Sequence, residues 1–111
     1  MKRVGLRFAV LVVAAMVAAP LYAQRKATAD QGKKVFAEQK CGMCHTATRN
    51  SLADVGNKLT AEQIREWIQD PATAAQKSKS TAKPAMKSFK SLPQADVDAL
   101  VAYLQTMKGG K

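Results

Sequence analysis

The amino-acid sequence predicts an all-α domain of three to four short helices, and three observations carry that reading. Apolar residues recur at helical spacing, as in Ile64, Trp67 and Ile68, and again in Val97, Leu100, Val101 and Leu104. Helix-start signatures of the Ser/Thr-x-x-Gln kind stand at Thr28 to Gln31, Thr60 to Gln63 and Ser91 to Gln94. No run alternates polar and apolar residues as a half-buried strand does, and no segment repeats. The 111 residues fit one domain rather than two cores. At 47% apolar the chain is not compositionally disordered. Only 5% is aromatic, however, so helices this short have little bulk with which to fill a core by themselves.

The N-terminal residues read as a targeting segment. Lys2, Arg3 and Arg7 precede a 12-residue apolar run, Phe8 to Ala19, and Pro20-Leu21-Tyr22-Ala23 follows. This is the layout of a secretory signal peptide cleaved after Ala23, which makes 1–23 the signal and 24–111 the domain. The run falls short of the roughly 20 residues that span a bilayer. An uncleaved N-terminal anchor is the alternative, and membrane association is expected only in that case. No cysteine stands near the cleavage point to accept a lipid. Cleavage removes three of the 18 basic residues and none of the 8 acidic ones, so the charge falls from +10 to +7. An exported chain does not meet nucleic acid, so this excess points to an acidic protein partner or an anionic surface.

Within 24–111 the elements follow in order. Gln24 to Ala29 is a polar lead-in, and a first helix is predicted from about Asp30 to Gln39, capped at Thr28. Val35 and Phe36 give it an apolar face, with Gly32 one turn before Phe36. Cys41 to Lys58, punctuated by Gly42, Asn50, Gly56 and Asn57, reads mostly as loop. A second helix starts at the Thr60 cap and ends near Gln69 or Asp70, because Pro71 follows. Ala72 to Lys90 shows little periodicity and reads as a long loop. It holds Lys77, Lys79, Lys83, Lys87 and Lys90 and no acid, while Pro84, Met86 and Phe89 mark it as functional. The last helix is predicted from the Ser91 cap through Val97 to Met107, flanked by Tyr103 and stopped by Gly109-Gly110.

The chemistry sits in Cys41-Gly42-Met43-Cys44-His45, a C-x-x-C-H sequence and the attachment signature of a c-type haem. Two thiols three positions apart lie on one side of a tight helical turn, where both reach the vinyl groups of one porphyrin. His45 then points its imidazole at the iron. A redox dithiol would need a thioredoxin-like βαβ setting, and none is present in the pattern. A structural zinc site would need four ligands where the motif offers three. A plain disulfide leaves His45 unexplained. One covalently held haem c also supplies the missing bulk, a large apolar plate for Phe36, Leu59, Trp67, Ile68, Leu100 and Leu104 to cover. The expected fold is therefore three to four short helices wrapped around a haem.

His45 is the chain's one histidine, so a bis-His iron is excluded, and Lys or Met must fill the second position or it stays empty. Beyond the signal the methionines are Met43, Met86 and Met107. Met43 lies inside the attachment turn and Met107 in the apolar stripe of the last helix. Met86, in a long loop between Pro84 and Phe89, is the expected second iron ligand. A thioether there favours Fe(II) and raises the reduction potential relative to two nitrogen ligands.

In this order the residues resemble a small class I c-type cytochrome across about 28 to 108. The resemblance rests on Gly32-x-x-x-Phe36, Cys41 to His45, Thr60 to Pro71, Met86 and Ala99-Leu100-Val101-Ala102-Tyr103-Leu104. It implies a first and a last helix that cross closely, with Gly32 permitting the contact and Phe36 packing near Tyr103. It also implies that a backbone carbonyl accepts from the ligand histidine. Relatives often present that carbonyl on a proline, but Asn50 to Gly56 contains none, so a carbonyl near Ser51 or Leu52 is expected instead. Where many relatives have Met-Pro-x-Phe, this chain has Met86-Lys87-Ser88-Phe89, which predicts a looser loop.

The function these features predict is that of a periplasmic one-electron carrier, monomeric and not an enzyme. It would cycle between Fe(II) and Fe(III) and meet redox partners through an acidic patch on them that faces the lysines around Met86. Trp67 Nε1–H is a candidate donor to a haem propionate. Two other classes remain: a haem-bearing subunit of a larger oxidoreductase complex, and a sensor or peroxidase whose Met86 is displaced by a ligand.

Overall fold

A computed structural model describes residues 28–109, so the expected signal peptide at 1–23 lies outside the described residues. Helix α1 covers 28–38. Residues 28–30 are already helical, so Thr28 is not the cap that its pattern suggested. Lys40 takes a left-handed conformation (φ 58°) and leads into a single 3₁₀ turn, Cys41–Met43. Helix α2 is one turn, Val55–Lys58, and α3 runs over Ala61–Gln69. The Thr60 capping box is complete: its Oγ1 accepts from the Gln63 amide at 3.2 Å, and Gln63 Oε1 accepts from the Thr60 amide at 2.9 Å.

The expected long loop after Pro71 begins with a helix instead: α4 spans Pro71–Ser78. Pro71 does end α3, but it also occupies the first position of α4, where a missing N–H costs nothing. Asp70 caps α4 by accepting from the Thr73 amide at 3.3 Å, and the Thr73 side chain together with that amide holds its carboxyl below the usual range. The helix buries only Pro71 and Ala74, too little to print a periodicity on the sequence.

Helix α5, Gln94–Gln105, is capped by Pro93 with no side-chain bond, so the Ser91 capping box does not form. The Leu92 amide is already committed to the Phe89 carbonyl at 3.1 Å, and Gln94 points forward to donate to Asp98 at 3.0 Å. The helix also stops before Met107. Beyond it the chain is held by the segment around α2, with the Gly56 amide on the Met107 carbonyl and the Gly109 amide on the Ala53 carbonyl, each at 2.8 Å.

Helices α1, α3 and α5 meet in a core built on Val35, Ile64, Ile68, Val97, Leu100 and Leu104. Among the described residues no polar or charged side chain is buried there. Gly32 lets α1 pass directly over the Ala99 carbonyl of α5, because a Cβ on Gly32 would stand 2.6 Å from both the Ala99 carbonyl carbon and Tyr103 Cβ. One turn on, Phe36 meets Tyr103 edge-on with ring centroids 5.6 Å apart, as the resemblance implies. Arg65 of α3 bonds Asp98 of α5 at 2.5 Å, an exposed pair that holds the Asp98 carboxyl below its usual range. There is no strand among the described residues, which form the all-helical fold that the sequence predicts.

Candidate functional site

The left-handed Lys40 ends α1 and turns the chain so that Cys41 to His45 form one tight coil. The Cys41 carbonyl accepts from both the Cys44 amide at 3.3 Å and the His45 amide at 3.0 Å. That geometry sets two free thiols and an imidazole on a single turn. Burial pushes the Cys41 thiol up, against a backbone hydrogen bond and the nearby Lys87 charge. A raised thiol is the opposite of what an attacking dithiol needs.

His45 is half-buried, and its Nδ1 lies 2.8 Å from the Asn50 carbonyl. A carbonyl only accepts, so Nδ1 carries the proton, and Nε2 is left as the nitrogen that can bind a metal. The expected carbonyl near Ser51 or Leu52 is therefore that of Asn50, a residue earlier. Asn50 has φ 49°, and this left-handed conformation, which asparagine tolerates well, turns its carbonyl back toward the ring. The preceding turn is closed by Thr46, whose amide donates to the Arg49 carbonyl at 2.9 Å and whose Oγ1 accepts from the Arg49 amide at 3.0 Å.

Met86 is half-buried in the loop 79–93. That loop is better held than the missing proline suggested. Ser88 Oγ donates to the Gln69 carbonyl at 2.7 Å and the Phe89 amide to the Ile68 carbonyl at 2.8 Å, using carbonyls that the end of α3 leaves without helical partners. On the other side of Met86, Arg49 donates to the Lys83 carbonyl at 3.2 Å. The other two methionines among the described residues are placed differently. Met43 is 74% exposed, and Met107 packs against the core.

Phe36, Leu59 and Trp67 are only half-covered by the polypeptide, which leaves apolar surface for a further group to bury. Phe36 reaches the motif itself, since its Cε1 would stand 3.8 Å from a Cβ at Gly42. Ile68, Leu100 and Leu104 are buried and belong to the helix core. No cluster of three or more His, Cys, Asp or Glu is placed to hold a metal ion among the described residues. Two free thiols, an imidazole with one nitrogen available and a half-buried thioether, set among half-covered apolar side chains, make a donor set that fits haem c. Asn50, Arg49 and Ser88 are the members that sequence reasoning missed. Asparagine in a glycine-poor turn was the available signal for the first, and the other two act on backbone carbonyls that leave no mark in sequence.

Residues 27–104 match the family described as cytochrome C oxidase, cbb3-type, subunit III. The chain belongs to that family. A cytochrome c oxidase subunit 2 of Alkalihalophilus pseudofirmus is 28% identical over 94 residues, covering 72% of this chain and 26% of the relative. The chain thus spans about a quarter of the length of the curated relative it matches. No solved structure matches it. As a member of the cbb3-type subunit III family it is a small monohaem cytochrome c with covalently bound haem c. No helix among the described residues is long and apolar enough to cross a membrane.

Proposed function

We propose that this cytochrome is an exported one-electron carrier and not an enzyme, released to the periplasm by cleavage after Ala23 and working as a monomer. Cys41 and Cys44 hold the haem through thioether bonds, and His45 and Met86 are the iron ligands. The observation that carries this reading is the 2.8 Å bond from His45 Nδ1 to the Asn50 carbonyl, which fixes the ring and keeps Nε2 for the metal. Haem c, when bound, supplies a one-electron Fe(II)/Fe(III) couple. The chain's part is to hold both ligands so that little moves when the charge changes. Ties on both sides of Met86 favour a carrier over a sensor that exchanges its ligand. Phe36, Leu59 and Trp67 cover the porphyrin faces, with Trp67 Nε1–H available to a propionate.

Haem should stay with the denatured polypeptide through acid–acetone extraction, and the double variant Cys41→Ser, Cys44→Ser should release it. Haem that extracts freely from the natural protein would refute the attachment. The N-terminus of the fractionated protein is expected to be Gln24, whereas Met1 on a membrane-bound form would mean an uncleaved anchor.

A second reading, a haem-bearing subunit of an oxidase complex, is favoured by the family match and by the relative's name. Native electrophoresis of soluble and detergent-extracted fractions with haem staining separates the two. A carrier runs at the size of one chain in the soluble fraction, and a subunit migrates with a large assembly.

The partner is proposed to be a redox protein with an acidic patch. Lys79, Lys83, Lys87 and Lys90 are exposed around Met86, whereas Lys77 is drawn off to Glu66 of α3 at 2.8 Å. Electrostatic steering changes encounter rates by roughly 10- to 1000-fold, more than it changes affinity. The double variant Lys83→Glu, Lys87→Glu should therefore slow bimolecular electron transfer at low salt by about tenfold or more and flatten its salt dependence. The reduction potential should barely move. A rate indifferent to this reversal would rule the surface out.

A further inference from the structure

We infer that Arg49 is a positioning residue that latches the loop bearing Met86 to the turn that holds His45. The inference rests on the reading of Met86 as an iron ligand. Arg49 stands one residue before Asn50, whose carbonyl fixes the His45 ring at 2.8 Å. Its backbone is held on both sides by Thr46, through its amide at 2.9 Å and its Oγ1 at 3.0 Å, so the side chain starts from a fixed point of the turn. From there Nη2 reaches across 34 positions of sequence to the Lys83 carbonyl at 3.2 Å. On the far side of Met86, Ser88 and Phe89 are tied to the end of α3. Met86 thus sits on a short span between two ties, one to α3 and one to the His45 turn. Only the second joins the two iron ligands to each other.

A guanidinium suits this task. It keeps its charge at every relevant pH, and its planar fork loses less freedom per bond than a flexible amine. A bond from a charged donor to a carbonyl is among the stronger ones, and its loss shifts the opening equilibrium of the span by about tenfold. The acceptor is the Lys83 carbonyl and not its side chain, which separates the latch from the charge of the surrounding lysines.

The test uses the haem-loaded protein and four variants: Arg49→Ala, Arg49→Lys, Lys83→Gln and Met86→Ala. Carbon monoxide binding to the ferrous protein reports how often the distal position opens, and amide exchange of 85–89 reports the loop directly. Arg49→Ala should bind carbon monoxide about tenfold faster and exchange those amides faster, with the optical spectrum still that of a methionine-ligated iron. Arg49→Lys should recover most of the loss, and Lys83→Gln should behave as the natural protein. Wild-type carbon monoxide binding in Arg49→Ala would overturn the latch. So would an equal rise in Lys83→Gln, since the effect would then be one of charge. If Met86→Ala binds carbon monoxide no faster than the natural protein, the ligand reading itself fails, and that failure is distinguishable because it leaves the Arg49 comparison without a methionine to release.

Discussion

Gly32→Val is expected to stop the haem-loaded protein from accumulating, and Gly32→Ala to lower its unfolding free energy by about 2 kcal/mol. The position faces backbone: a Cβ there would stand 2.6 Å from the Ala99 carbonyl carbon and from Tyr103 Cβ, neither of which can swing aside. Helix α1 would have to lift from α5 instead. That movement would pull Phe36 off Tyr103, a pair worth about 1 kcal/mol beyond its buried area. It would also open the site at the helix that leads into Cys41. Forcing extra methylenes into a packed contact costs about 1–3 kcal/mol, and alanine's helix preference over glycine returns up to about 1 kcal/mol. Valine adds two more carbons and gains nothing comparable. Gly42→Ala is the internal comparison, because its Cβ would make ordinary contact with Phe36 Cε1 at 3.8 Å. Guanidinium unfolding followed by circular dichroism measures the two alanine variants, and the yield of haem-loaded protein measures Gly32→Val. A Gly32→Ala protein as stable as the natural one would mean that α1 and α5 do not cross at this distance.

That crossing was legible in sequence only through resemblance, whereas the attachment turn was legible from spacing alone. The difference is physical. Cys41, Cys44 and His45 act through side chains whose chemistry is scarce, so their types and intervals identify them. Thr60 and Gln63 likewise spell out a reciprocal pair of bonds, and both form. The Ser91 pattern has the same letters without the bonds, because Pro93 at the helix edge and the Leu92 turn had already set where α5 begins. Helix α4 escaped notice because its buried residues are a proline and an alanine, which leave no apolar stripe. At the site, what stayed hidden were the groups that act through or upon the main chain. The Asn50 carbonyl depends on a left-handed backbone angle, and the Arg49 and Ser88 bonds end on carbonyls that any residue would offer.

Met86→Ala is expected to change the iron site more than any other exposed-loop substitution. The ferric protein should lose the weak sulfur–iron charge-transfer band at the red end of its spectrum, and the ferrous protein should bind carbon monoxide at once. The reduction potential should fall, because a thioether favours Fe(II) and its replacement by water or hydroxide favours Fe(III). A fall larger than about 60 mV, a tenfold change in the one-electron equilibrium, is the expected scale. The two other methionines among the described residues provide the contrast. Met43 is 74% exposed on the attachment turn, so Met43→Ala should leave band and potential unchanged. Met107 packs against the core just past α5, and its carbonyl accepts from Gly56 at 2.8 Å, so Met107→Ala should lower stability and spare the band. The opposite pattern, a band that survives in Met86→Ala and vanishes in Met107→Ala, would carry the ligand to the end of α5. The lysines around 86 would then surround a loop with no part in the redox site, and the carrier reading would lose its docking surface along with its ligand.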